Sequence, residues 1–348
     1  MDSEDNPAAL LSKGGKTVDS NRVYITSKEI FIGNKTNSDQ EEYKIEVAQY
    51  EPMLEYLQTR NVDRISKISL AAATNTLMKR SVIGSNFKIE KGEDNDYGIV
   101  LGTQYSALES IHNYDMEALN KGALAVNPGL FPNTVLNSPA CQVSIQCSFA
   151  GPVYTVCNGL ISSLDAIGIG YNFVRTGLSS MVLAGGVDEI TELQTMMKDN
   201  HKDLGEAGGF LLLESEKTIA KSKKFAEIIG YKSKSLNKEE RISLAESTSN
   251  LIIDAMTSED NKDIDATNIS VSSAFPLHES EIIISEICKK IDFSNINNCI
   301  EIDWMGACGI VQTSKAIENI DKRYGENIIW TLINIEREKV SILVLKSV

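Results

Sequence analysis

The chain has 348 residues, 42% of them hydrophobic and 24% charged, with a net charge of −14 and an isoelectric point near 4.8. That length suits about two domains and is enough to bury a sizeable core. The acidic balance argues against a nucleic-acid partner, whose phosphates the surface would repel, and no apolar run approaches the roughly 20 residues of a membrane-spanning helix.

The first twenty residues are polar and acidic, without the basic-then-apolar pattern of a secretion signal. They are expected to form a disordered arm on a cytoplasmic protein. Cysteines at 141, 147, 157, 288, 299 and 308 include no CxxC pair and lie in or beside apolar stretches, which predicts buried, reduced thiols. The histidines are scattered at 112, 201 and 278, so no metal site is expected, and no cofactor.

Residues 22–32 read as one or two β segments. Residues 51–79 have helical spacing, with Leu54, Leu57, Ile65, Ile68, Leu70 and Leu77 recurring and alanines at 71–73 allowing close packing. Residues 97–102 (YGIVLG) predict a short buried strand ending in glycine. Helical spacing returns over 106–119 through Leu108, Ile111 and Met116, and 126–134 (VNPGLFPNT) is a turn-rich entry into the run to Ile145.

The most informative stretch is 151–189, GPVYTVCNGLISSLDAIGIGYNFVRTGLSSMVLAGGVDE. A strand over 153–156 turns through Asn158-Gly159 into a helix with Leu160, Leu164, Ile167, Tyr171 and Val174 on its apolar side. Arg175 in the last turn and Gly177 beyond it mark the helix end. A second strand, 181–184, ends in Gly185-Gly186. Strand, tight turn, buried helix and strand make a βαβ unit, and such a turn often presents a nucleophile at a helix N-terminus. Further on, 204–210 lead into a strand over 211–214, and 228–231 continue the strand signal. A helix is expected over 241–256 with a Ser/Thr-rich exposed side, and 340–345 read as a strand.

The 151–189 segment resembles the nucleophile region of the β-ketoacyl synthases, the thiolase-fold condensing enzymes of fatty-acid and polyketide synthesis. The NPxxFPNTV pattern at 127–135, followed by Gly151-Pro152, is also typical of that family. The resemblance is strongest over about 97–214 and recognisable over 264–318. It implies an α/β, thiolase-like αβαβα five-layered fold of two similar halves, one over 21–214 and one over 215–348.

On this resemblance the family's catalytic cysteine position falls on Leu160, its first histidine on Phe275, its second histidine on Asp303 and the preceding lysine on Asn298. Residues 305–310 (MGACGI) match the family's LGAAGA segment. The loop that precedes 204–210 in the family is largely missing. So is the glycine-rich gating loop near the C-terminus, where 334–338 run straight into a strand. Condensation needs a thiolate to take the acyl chain and donors that stabilise an enolate. Leu160 offers no nucleophile, Phe275 no hydrogen bond, and an ionised Asp303 would repel an enolate.

The combination resembles the chain length factor of type II polyketide synthases, a cysteine-less look-alike that pairs with an active ketosynthase and shapes the tunnel of the growing chain. Val187-Asp188 also resembles the factor pattern. The resemblance implies a heterodimer with an active ketosynthase, with acyl carrier protein engaged through the complex, since so acidic a chain is poorly suited to dock an acidic carrier alone. The tunnel positions fall on Leu108, Ile111 and Asp115, whose small apolar members imply a long, polyene-type chain. Leu130 and Phe131 are interface candidates, with pairing expected along the strand at Tyr154, Thr155 and Val156. Two alternatives stay open: a divergent condensing enzyme or acyltransferase using Cys157, and a homodimeric acyl-binding scaffold of the same fold. His278, three residues beyond Phe275, is read as a surface or interface histidine.

Overall fold

The computed structural model describes residues 21–35, 42–57, 59, 61–89, 96–197, 202–219, 223–257, 267–291, 293–298, 301–323 and 327–348. The arm expected over 1–20, His201, Cys299 and the start of the 264–318 match lie outside the described residues. The apolar runs of the chain become the strands β1 (Val23–Ile32), β2 (Gly98–Gly102), β3 (Val153–Val156), β4 (Met181–Asp188) and β5 (Ala207–Ser215). They are followed by β6 (Ala226–Ser235), β7 (Thr267–Ser273), β8 (Phe293–Asn298), β9 (Ile329–Glu336) and β10 (Lys339–Lys346).

These strands hydrogen-bond in the order β8-β7-β9-β10-β6-β1-β5-β4-β2-β3. Read outward from the middle, β1-β5-β4-β2-β3 and β6-β10-β9-β7-β8 are the same topology twice, with parallel pairs outermost and antiparallel pairs within. The two sets meet through a short β1–β6 pairing, from Val23↔Ile228 to Ile25↔Ala226. Each half therefore contributes one five-stranded layer, the two joined edge to edge by that pairing.

The main helices are α1 (Arg64–Lys79), α2 (Leu108–Lys121), α3 (Ser138–Cys147), α4 (Ser162–Arg175), α5 (Leu244–Met256), α6 (Leu277–Cys288) and α7 (Cys308–Lys322). α4 and α7 lie between the sheets, where Leu164, Ile167, Ile310 and Val311 join Val100 and Leu211 of the first sheet to Leu332 and Leu343 of the second. α1 and α3 cover the outer face of the first sheet through Leu70 and Val143. α5 and α6 cover the second through Ile252 and Ile284. The result is the thiolase-like αβαβα arrangement. Its centre is tight: a Cβ on Gly309 would come within 2.4 Å of the Leu164 amide nitrogen.

Local structure departs from the expectations in four places. The helical run over 51–79 is two helices, Glu51–Tyr56 and α1, because extended Asp63 caps α1 and accepts from the Ser66 amide at 3.2 Å. β4 passes through Gly185-Gly186 instead of ending there. A Cβ at 185 would lie 2.0 Å from the Gly209 carbonyl and one at 186 would lie 2.4 Å from Ser163, so these glycines admit β5 and α4. The helix over 241–256 is divided at Ser243, and Thr248 and Ser249 face inward while Ile253 is exposed. Ser249 is reconciled to burial by donating to the Ala245 carbonyl at 2.7 Å. Among the described cysteines, Cys147 and Cys308 are buried, Cys141 and Cys288 half-buried, and Cys157 exposed at the end of edge strand β3.

Candidate functional site

β3 ends at Val156 and the chain reverses into a single 3-10 turn, Gly159–Ile161, that runs on into α4. Ser162 holds this turn, its hydroxyl accepting from the Asn158 amide at 2.8 Å and donating to the Gly159 carbonyl at 2.6 Å. Gly159 takes φ +71°, a conformation that favours glycine. The opposite half repeats the arrangement: Met305–Ala307 form a 3-10 turn ahead of α7, and Met305 takes φ +52°. The two helix starts are stitched together where the Ile310 amide donates to the Ser163 hydroxyl at 3.1 Å.

Between these turns lies a cavity of about 300 Å³. Leu160, Phe275 and Asp303, three of the four positions singled out from the sequence, all line it. The fourth, Asn298, ends edge strand β8 opposite Val271. The sequence reasoning missed Lys202, Glu336, Arg337, Tyr105 and Gln194, which line the same cavity. Leu160 is 3% exposed and belongs to the central core. Its amide donates to the Glu336 carboxylate at 3.1 Å. Asp303 accepts from the Met305 amide at 2.8 Å, and burial pushes its carboxyl above the usual carboxylate range. Burial also pushes the Lys202 ammonium down, against the opposing fields of Asp303 and Glu336; it donates to the Ser273 carbonyl.

Two polar clusters, one buried and one part-buried, support the site. Asp188, fully buried at the end of β4, accepts from the Thr103 hydroxyl at 2.8 Å and from the amides of Gln104, Tyr105 and Ser106 at 2.7, 3.0 and 3.4 Å. It thereby fixes the loop that carries Gln104 and Tyr105 to the cavity wall. Desolvation raises its carboxyl to about 6 despite those donors. Behind the α4 turn, Lys339 donates to Asn158 at 2.9 Å, and Asn158 and Tyr231 donate to Asp165 at 3.1 and 3.0 Å.

Cys157 lies outside the cavity lining; its thiol donates to the Gln104 carbonyl at 3.3 Å. Burial of the sulfur, then the Asp188 charge, push that thiol up, with Lys339 opposing. A thiol so placed is not activated. His278 is exposed in the first turn of α6. Among the described residues no group of three His, Cys, Asp or Glu side chains is placed to hold a metal ion, and no helix is long and apolar enough to cross a membrane.

The proposed tunnel positions fall on a different surface. α2 has no buried residue: Leu108 and Ile111 are half-buried and Asp115 exposed. Leu130 and Phe131 are exposed beside it, with Tyr114 edge-on to Phe131. On edge strand β3, Tyr154 is exposed and Thr155 half-buried, while the Val156 side chain packs into the core. The same exposed apolar set includes Leu119 (78%), Leu124, Val135, Leu136 and Ile145 (68%). These five were not singled out from the sequence, where Leu119 ends a helical run and the others lie in or beside the turn-rich stretch and the run to Ile145.

A family profile, the β-ketoacyl synthase N-terminal domain, matches residues 8–218. The chain is 23% identical over 256 residues to 3-oxoacyl-(acyl-carrier-protein) synthase 2 of Vibrio cholerae, covering 64% of this chain and 60% of that protein. It thus spans less than two thirds of that relative's length. Among solved structures, the ishigamide ketosynthase/chain length factor superposes with a TM-score of 0.75 at 15% identity, covering 94% of this chain and all of that one. A type II polyketide synthase ketosynthase, solved in complex with its acyl-carrier protein and bound to a hexaketide, superposes at 0.73 with 16% identity, covering 94% of this chain and all of that one. These structural likenesses establish the fold. With the profile matched over more than half its length, the chain belongs to the β-ketoacyl synthase family.

Proposed function

We propose that the chain is a non-catalytic, chain-length-factor-like subunit that pairs with an active ketosynthase and shapes its acyl or polyketide tunnel. The observation that carries this reading is at Leu160: where the turn into α4 would present a nucleophile, a leucine is buried and its amide is already engaged by Glu336. Phe275 and Asp303 supply neither a thiol nor an imidazole beside it. The exposed apolar face of α2 and the open edge of β3 supply the surface for a partner, to which an unpaired strand edge is well suited. Leu130, Phe131 and Tyr154 would contribute side chains there, with Thr155 and Val156 on the same strand. Leu108, Ile111 and Asp115, on the helix that enters this surface, would set the length of a long, polyene-type chain. A neighbour solved as a ketosynthase/chain length factor fits this reading.

The test is to isolate the tagged chain from its host and weigh the intact complex. A one-to-one complex with a cysteine-containing ketosynthase is expected. A homodimer alone, with the pathway active, overturns the reading in favour of a self-paired scaffold.

A further inference from the structure

The polar end of the cavity is occupied by the chain's own charged groups. β9 and β10 close with only Arg337 and Glu338 between the paired Glu336 and Lys339. That short hairpin holds Glu336 in place beneath the α4 turn. The Leu160 amide there lies in the 3-10 turn ahead of α4, where backbone donors not yet paired within the helix favour a negative partner. Gly159 is matched to the carboxylate as well as to its backbone angle, since a Cβ at this position would lie 2.6 Å from the Glu336 oxygen. Lys202 lies on the same cavity, in the field of both Glu336 and Asp303.

From this arrangement we infer that Glu336 is an internal ligand and a specificity-determining residue: it occupies the Leu160 amide and keeps the carbonyl end of an acyl thioester out of this chain's own cavity. A thioester under attack gathers negative charge on its carbonyl oxygen and needs preorganised donors there. A resident carboxylate removes the donor and repels that charge. In a paired assembly the acyl group would then load only at the partner's site. That consequence rests on the reading of the chain as a non-catalytic subunit, whereas the role of Glu336 within this chain does not.

The experiment places a reporter thiol at the turn. Leu160→Cys, in a Cys157→Ser background, is compared with the same protein carrying Glu336→Gln, and alkylation by iodoacetamide is followed at the peptide containing position 160. The groups facing this position are Glu336 and Arg337 from the hairpin, Lys339 through Asn158, Lys202, Asp303 ahead of α7, Asp165 on α4, and Tyr105 alongside. The paired comparison alters only the first.

With Glu336 present the thiol is expected to react slowly. With glutamine in its place the rate at pH 7 should rise at least about tenfold, and the midpoint of its pH profile should fall by about one unit. Equal rates and midpoints overturn the proposal. Should the reporter not fold, selective leucine labelling with nitrogen-15 supplies a second readout. Glu336→Ala alone should move the Leu160 amide signal and speed its hydrogen exchange; an unchanged signal overturns the proposal. Both readouts use the isolated chain, so their failure leaves the pairing test standing, and failed pairing leaves the internal ligand in place.

Discussion

Tyr231 lies so close to Gly168 that a Cβ at position 168 would come within 2.1 Å of the ring. The tyrosine cannot simply swing away, because its hydroxyl donates to buried Asp165 at 3.0 Å. Mid-helix glycine to alanine ordinarily stabilises by about 1 kcal/mol. Here the clash dominates, and Gly168→Ala is expected to destabilise by about 1–2 kcal/mol. Urea denaturation measures it; a gain in stability would show that the ring moves aside freely.

Asp188 carries a pH signature. Its carboxyl at about 6 stands above the ordinary value of about 3.9, so the folded chain holds this proton more tightly than the unfolded chain. The stability it contributes is full below about pH 4 and is lost as pH rises through about 6, a change on the order of 3 kcal/mol. Asp188→Asn removes the titration. The stability difference between wild type and variant should therefore shrink or reverse between pH 4 and 6.5; parallel curves would show that Asp188 does not titrate in that window.

Arg64 joins two buried carboxylates, donating to Glu206 at 2.9 and 2.8 Å and to Glu189 at 3.1 Å. Arg64→Met would leave both without their cation. The expected cost at pH 8 is about 3–5 kcal/mol, smaller in acid, where Glu189, raised by burial to about 7, is already protonated. Denaturant midpoints at pH 5 and 8 check this, and a loss below about 1 kcal/mol at both would show that the carboxylates relax without the arginine.

Charges placed on the apolar edge should separate association from folding. Leu124 and Tyr154 are exposed, so Leu124→Asp and Tyr154→Glu are expected to change the stability of the lone chain by no more than about 0.5 kcal/mol. Both should abolish the proposed one-to-one complex with a ketosynthase in sedimentation velocity. Retained complex with both changes present would move the interface elsewhere.

Cys157 offers a direct contrast with an activated thiol. Because burial and Asp188 push it up, its alkylation at pH 7 should be slower than that of a free cysteine peptide. Cys157→Ser should leave any acyl transfer by the proposed complex unchanged. Fast alkylation, or lost transfer, would return the cysteine to the mechanism.

Local pattern was enough to read the βαβ unit over 151–189, since strand alternation, the Asn158-Gly159 turn and helical spacing are properties of neighbouring residues. The place of Leu160 at the start of α4 followed from that turn alone. The resemblance, carried by this stretch and by 127–135, brought the five layers and the grouping of Phe275 and Asp303 with Leu160. Other features depended on contacts between distant segments. Glu336 reaches the Leu160 amide only because a short hairpin 176 residues downstream closes beneath the turn, and Lys202 arrives from a third segment. Gly185-Gly186 looked like a strand end, yet Gly209 and Ser163 approach so closely that glycine is needed within the strand. The exposed face of α2 has the periodicity of a core helix, and spacing cannot tell a face that meets its own sheet from one left uncovered. Sequence alone settled the strand, helix and strand of the 151–189 unit and where the turn into α4 lies. Only tertiary structure decided what fills that turn and which apolar face remains open, because burial and long-range hydrogen bonding depend on residues that adjacency in the chain does not bring together.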